Sequence, residues 1–306
     1  MMKKTTIMEM MNEMIDLKRS MGCERTAETY DAALRSFMQF RGNIDCKLID
    51  MTPRLMQQYE AWLKHRGVSR NTSSFYMKRL QAAYNEAVRL GLVAQANPFR
   101  LVYTGKEQTA KRAISAGLLR KIKDLDLSGN PRLELARDMF LFSLYTRGMS
   151  FVDMAYLKKS DCRKGYLTYR RHKTGQTLKI EWVDCMEEIV KKYDNEESPY
   201  LLPIITHDGG DRQQYLKAQR RIGYALHQVA EVAKIKAGLT MYVARHSWAT
   251  LAQKNGIAVN TIRECLGQDS ERTTRIYLAS ISMGVVDRAN RIVLYHFFTG
   301  RCSSAR

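Results

Sequence analysis

The chain has 306 residues, 45% hydrophobic and 26% charged, the balance of a folded globular protein long enough for two domains. No run of about 18 apolar residues is present, which excludes a membrane-spanning helix, and the opening MMKKTTIMEMMNEM lacks the apolar segment of an export signal. Fifty Lys+Arg against 31 Asp+Glu give a net charge of +19, which points to a polyanionic partner.

Residues 1–100 carry 16 basic and 10 acidic groups, and the remainder 34 and 21, so the excess is spread over both halves. No Lys-rich amphipathic helix with a Trp/Phe/Leu face is evident, which disfavours a membrane surface and favours nucleic acid. The six cysteines (23, 46, 162, 185, 265, 302) form no C-x-x-C pair and the six histidines are scattered, so no metal site is expected. The thiols read as reduced, in a cytoplasm. Neither G-x-x-x-x-G-K-[ST] nor G-x-G-x-x-G occurs, so ATP or NAD use has no support.

In chain order, apolar residues recur at helical spacing over 4–22 (Ile7, Met10, Met11, Met14, Ile15) and again after Thr26 (Tyr30, Ala33, Leu34, Phe37). A third helix is expected at 53–65, with Pro53 in its first turn, and a fourth from Ser69–Thr72 to about Leu90. Together they make a helical bundle over 1–103. The stretch 61–80 holds Lys64, Arg66, Arg70, Lys78 and Arg79 with no acidic residue. Basic and hydroxylic residues at a helix start suit phosphate contacts, although the same residues would also make a solvated basic face. Residues 104–112 are polar, basic and aperiodic, a linker by composition.

The second domain, 113–306, reads as mostly helical. Ser115 is placed to cap a helix, and 131–146 is apolar enough to be buried on several sides. Leu178, Ile180 and Trp182 alternate with Lys179 and Glu181, and a KTGQ turn precedes them, so 165–182 is expected to be a β-hairpin. Helices are expected at 184–194, 213–234, 241–255, 259–266 and 270–279. Trp182 and Trp248 read as core residues.

Three segments stand out: KTG at 173–175, YVARHSWAT at 242–250 and LGQDSERTTRIYL at 266–278. Their order and spacing resemble the tyrosine recombinase (phage integrase) family. There a tyrosine follows an LGH-type motif by nine residues, as Tyr277 follows Gln268, and an H-x-x-R-H box lies upstream, filled here by Tyr242, Arg245 and His246. The resemblance spans the whole chain. It implies a SAM-like core-binding bundle followed by a mixed α/β, mostly helical catalytic domain with a small β-hairpin or sheet.

DNA strand cleavage needs a nucleophile, stabilisation of charge on phosphorus and a proton for the leaving oxygen. The Tyr277 phenol can attack if cations favour its anion. Arg245 offers a planar fork to two phosphate oxygens, and Lys173 on a hairpin tip can protonate the departing 5′ oxygen. The resemblance implies the same roles, with a 3′-phosphotyrosyl intermediate and neither cofactor nor metal. It also implies a tetramer on paired double-stranded DNA sites, in which the apolar segment 284–298 docks on the next protomer.

Three positions depart from the family pattern. Ser150 stands where the first arginine of a T-G-L-R string belongs. If the chain is helical there, Arg147, three residues earlier, shares its face and is expected to take that role. Tyr242 replaces the first histidine of the box, and Gln268 replaces the LGH histidine and cannot exchange protons near neutral pH. His246 is a candidate base for Tyr277, and also reads as a structural histidine beside the site. Arg170 and Arg171, beside Lys173, are expected to contact a DNA groove. The function expected is site-specific recombination, integrating or inverting. The alternatives are a catalytically impaired DNA-binding regulator of the same fold and a type IB topoisomerase-like nickase.

Overall fold

A computed structural model describes residues 5–107, 113–207, 209–236 and 238–268. It is mainly helical, with one small antiparallel sheet, and divides into two compact units, Met1–Thr109 and Ala110–Arg306.

The first unit is built on four amphipathic helices. In α1 (Ile7–Ser20) the Thr6 hydroxyl accepts the Glu9 N–H while the Glu9 carboxylate accepts the Thr6 N–H, a reciprocal cap for two otherwise unpaired donors. Its buried residues, Ile7, Met10, Met11 and Ile15, lie at the spacing of one helical face. The next helix, α2 (Glu24–Phe40), begins two residues before Thr26 and buries Ala27, Tyr30, Ala33, Leu34 and Phe37. Thr52 caps α3 (Pro53–His65), and Pro53 at its first position loses no hydrogen bond there. Ser69 caps α4 (Arg70–Arg89), which buries Met77, Leu80, Ala83, Tyr84 and Ala87. The Phe37 and Tyr59 rings meet edge to face at 5.2 Å in this core, and the Tyr59 hydroxyl hydrogen-bonds Ser36 at 2.7 Å.

Residues 103–107, at the start of the stretch that reads as a linker, are tied to this unit. The Ser74 hydroxyl donates to the Gly105 carbonyl at 2.6 Å. The Asn71 carboxamide exchanges two hydrogen bonds with the backbone of Glu107, and the Arg70 guanidinium pairs with the Glu107 carboxylate at 3.0 Å.

In the second unit α5 (Ala116–Lys123) is capped by Ser115. The central helix is α6 (Pro131–Tyr145), capped by Asn130 and started by Pro131. It is buried on several sides because other helices cover it; Leu133, Ala136, Met139, Phe140 and Phe142 all lie in the core. A short α7 (Phe151–Ala155) follows. The sheet runs β1 (Cys162–Arg163), β2 (Tyr166–Arg170) and β3 (Thr177–Glu181), antiparallel, with Arg170 opposite Thr177. Leu167, Tyr169, Leu178 and Ile180 face inward and the intervening residues outward, the alternation that a one-sided sheet requires. Then come α8 (Asp184–Lys192), α9 (Asp211–Val232), α10 (Met241–Lys254, capped by Thr240) and α11 (Val259–Leu266).

A buried ionic cluster ties α8 to α6. The Asp138 carboxylate accepts from Arg137 at 2.7 Å, from Lys192 at 2.8 Å and from the Tyr193 hydroxyl at 2.7 Å. Burial alone would raise its pKa, but these donors outweigh it and hold the carboxyl below the usual carboxylate range. Trp182 packs partly buried on the same core, and Trp248 on a smaller cluster with Ala249 and Ile262.

The chain is not helical between Arg147 and Ser150. α6 stops at Tyr145, and Arg147 and Gly148 both take left-handed backbone angles (φ +60° and +72°). The shared helical face expected for Arg147 and Ser150 therefore does not form.

Candidate active site

Two arginines from separate elements are buried at one cavity. Arg245 projects from α10 and is 6% exposed; Arg171 follows β2 and is also 6% exposed. Both line a cavity of about 670 Å³ with Ser150, Lys173, Tyr242 and Gln268.

The two side chains are fixed in parallel ways. One Arg245 nitrogen donates to the Gly148 carbonyl at 2.8 Å and the other to the Leu266 carbonyl at 2.6 Å. Arg171 donates to the carbonyl of Gly267. Leu266 and Gly267 end α11, where helix carbonyls have no intrahelical partner, so the guanidinium groups satisfy acceptors that would otherwise be orphaned. A glycine sits beneath each arginine. A Cβ on Gly148 would lie 2.7 Å from the Arg245 Cα, and one on Gly267 would lie 2.7 Å from the Arg171 Cδ; both residues also have positive φ. Only glycine combines that backbone with that approach.

The Asp153 carboxylate organises the Arg171 side of the cavity. It accepts from the Ser150 hydroxyl at 2.6 Å and from the His172 N–H at 2.8 Å, and it lies 3.5 Å from the Arg171 Nε. A buried carboxylate needs such donors, and here they fix the chain entering the Lys173 turn. That turn is closed by the Gly175 N–H on the Arg171 carbonyl at 2.9 Å, and Lys173 stands exposed at its tip. Arg170 donates to the Gly175 carbonyl at 2.8 Å, so its guanidinium braces the turn.

Tyr242 is 48% exposed at the cavity, and its ring meets the His246 ring edge on at 4.4 Å. His246 itself is buried, as is Gln268. Arg147 does not line the cavity; its guanidinium reaches the Lys179 carbonyl on β3 at 3.4 Å. The Tyr169 phenol lies within the electrostatic reach of all three arginines. Burial raises its pKa first, Asp153 adds to that, and Arg171, Arg245 and Arg147 oppose it. Tyr277 and the segment 284–298 lie outside the described residues.

In the first unit Lys64 and Lys78 are exposed. Arg66 lies over the Trp62 ring at 4.8 Å and donates to Gln39 at 2.7 Å. Arg70 stacks on Tyr103 at 4.0 Å while paired with Glu107. Arg79 is half-buried between Tyr30 and Phe75, 5.1 and 5.2 Å from the ring centres.

The sequence reading missed Arg171 as a cavity residue and missed Asp153 entirely. Strand parity carried a signal for the first: Leu167 and Tyr169 face inward, and Arg171 is the next residue of that set. Ser150-x-x-Asp153, with serine capping α7 and accepting the Asp153 N–H, carried one for the second.

Two guanidinium groups lining one cavity, with an exposed ammonium beside them, suit a phosphate whose negative charge grows during reaction. Residues 6–106 match the family described as the phage integrase SAM-like domain. Tyrosine recombinase XerA of Thermococcus onnurineus is 25% identical over 258 residues, spanning 73% of this chain and 89% of that protein. Tyrosine recombinase XerC of Pediococcus pentosaceus is 26% identical over 265 residues, spanning 83% of this chain and 87% of that protein. The fold is that of a lambda integrase dimer bound to a core site, with a TM-score of 0.68 and 19% identity over 89% of this chain and 77% of that one. It is also that of the Tn1549 transposon integrase, with a TM-score of 0.67 and 14% identity over 94% of this chain and 99% of that one. A SAM-like helical unit, a second unit carrying Arg245 in the R-H box, and recombinases that align with most of the chain make this protein similar, in sequence and in fold, to the tyrosine recombinase (phage integrase) family.

Proposed function

We propose that this chain is a site-specific DNA recombinase that cuts and rejoins strands through a 3′-phosphotyrosyl link to Tyr277. The observation that carries the reading is the pair of buried guanidinium groups, Arg171 and Arg245, facing one cavity beside Lys173. In this reading they grip the non-bridging oxygens of the scissile phosphate. The Tyr277 oxygen attacks phosphorus, the P–O5′ bond breaks, and Lys173 gives its proton to the departing oxygen. In the second half the 5′ hydroxyl of a partner strand attacks the phosphotyrosyl bond and releases the phenol. Bond energy is conserved throughout, so no nucleotide triphosphate is consumed. Gln268 and Tyr242 orient the phosphate, and Arg171 supplies the guanidinium that Ser150 lacks.

The partner is double-stranded DNA, held through exposed residues such as Lys64 and Lys78 and by the charge of both units. Assembly into a tetramer on paired sites, through exchange of the segment 284–298, belongs to the same proposal, as does a cytoplasmic setting. Among the described residues no helix is long and apolar enough to cross a membrane.

The test is capture of a covalent adduct on nicked suicide duplexes made from sequences the protein enriches out of a randomised library. The adduct forms with the wild type and is absent with Tyr277→Phe. Site-specific binding without any adduct identifies a DNA-binding regulator instead. Relaxation of supercoiled DNA without site preference identifies a nickase.

A further inference from the structure

One wall of the cavity has no part in the proposed cleavage chemistry. Helix α9 contributes Tyr215 and Gln219, one helical turn apart on the same side. Tyr215 is held in place, its ring 5.8 Å from Phe151 and 6.4 Å from Tyr156. Its hydroxyl oxygen accepts a hydrogen bond from the Gln219 Nε2 at 2.9 Å. A packed aromatic therefore aims an exposed carboxamide, which still has a carbonyl oxygen and a second N–H to offer.

That acceptor–donor pair, in one plane, is the complement of the adenine N6 and N7 edge in the major groove. The rest of the helix fits a nucleic-acid neighbour. Lys217, Arg220 and Arg221 are exposed, and no acidic residue occurs between Asp211 and Glu231. Such charges hold phosphates without reading sequence, whereas an oriented amide reads it. A carboxamide elsewhere on the surface would merely be hydrated; this one shares a cavity with Arg171 and Arg245.

We propose that Gln219 is a specificity-determining residue that reads the base edge next to the phosphate gripped by Arg171 and Arg245, with adenine as its preferred partner. The inference rests on the cleavage reading above. It adds that the site is chosen partly at the point of cutting, by the same cavity that cuts.

The experiment enriches bound sequences from a randomised duplex library with the wild type, Gln219→Ala and Gln219→Arg, and maps the cut from the covalent adduct. The wild type should enrich adenine beside the cut on the order of ten- to a hundredfold. The alanine variant should lose that preference and keep the others, and the arginine variant should move it toward guanine. Identical preferences in all three proteins overturn the inference while leaving cleavage intact. A preference that follows residue 219 without any adduct from the wild type overturns the cleavage reading instead. No enrichment by the wild type overturns both. Gln219 is exposed, so an unchanged melting temperature checks that the variants fold.

Discussion

Arg171 donates to the carbonyl of Gly267, the residue after the one whose carbonyl Arg245 holds. Two guanidinium groups from separate elements thus share one helix end as their mount. Arg171→Ala is expected to lower the rate of adduct formation by about 10²–10³-fold, the usual loss when a preorganised donor is removed. Arg147→Ala, which removes a side chain outside the cavity, should cost far less. A cleavage time course on one suicide duplex checks both, and equal losses would deny Arg171 its special place.

Asp153 offers a second way to question the same site. Its carboxylate already contacts Ser150 and lies beside Arg171, so it can brace a guanidinium arriving from either position. Ser150→Arg placed on top of Arg171→Ala should recover part of the lost cleavage. Ser150→Arg alone should give no gain, because two arginines would crowd one carboxylate. The readout is the same time course for the wild type, the two single variants and the double variant.

Gly148 and Gly267 should tolerate no side chain. Alanine at either position combines a left-handed backbone with a Cβ 2.7 Å from an arginine carbon. The backbone alone costs about 1–3 kcal/mol, and the clash moves the guanidinium as well. Gly148→Ala and Gly267→Ala are expected to lose both melting temperature and cleavage, whereas an alanine at exposed Gly129 should lose neither.

Asp138 makes a prediction about pH. Its folded carboxyl lies below the unfolded value of about 3.9. A depressed acid contributes stability that is fully present above the unfolded pKa and is lost as pH falls through the folded one. Urea midpoints should therefore hold steady from neutral pH to about 5 and fall below about 4. Asp138→Asn should cost about 3 kcal/mol at pH 7, because Arg137 and Lys192 lose their shared partner, and should show a shallower acid fall.

Neighbouring cations on α4 should separate binding from stability. Exposed Lys78 touches nothing that the fold needs, so Lys78→Ala should lower DNA affinity for all sequences and reduce the salt slope by about 1. Arg79 is half-buried between two rings, so Arg79→Ala should cost about 1 kcal/mol of stability. Salt titrations and thermal melts of the two variants check the division.

Caps and periodicity made most of the helices legible. Pro53, Ser69 before Arg70 and Ser115 before Ala116 each announce a start: proline is at home in a first turn, and each serine oxygen satisfies a local N–H. The hairpin showed itself in the alternation of Leu178 and Ile180. The two-residue β1 and five-residue α7 did not show, since neither is long enough for a period to repeat. Cavity residues were legible where spacing is local, as in Tyr242 and Arg245. The site was not legible at Arg147, whose left-handed backbone turns its guanidinium toward β3. Arg171 was hidden for another reason: it sits in a run of basic residues that resembles a solvated rim until strand parity assigns each one a side.

The shared mount has a further consequence. Leu266 and Gly267 stand at the threshold of the stretch in which residue 277 follows Gln268 by nine positions. Any shift of that threshold withdraws one acceptor from each cationic fork at once, leaving Arg245 only the Gly148 carbonyl and Arg171 only the Asp153 carboxylate beside it. In the proposed reaction the charge grip thus adjoins, in the chain, the stretch that carries Tyr277, and a displaced threshold would weaken the hold on the phosphorus to be attacked.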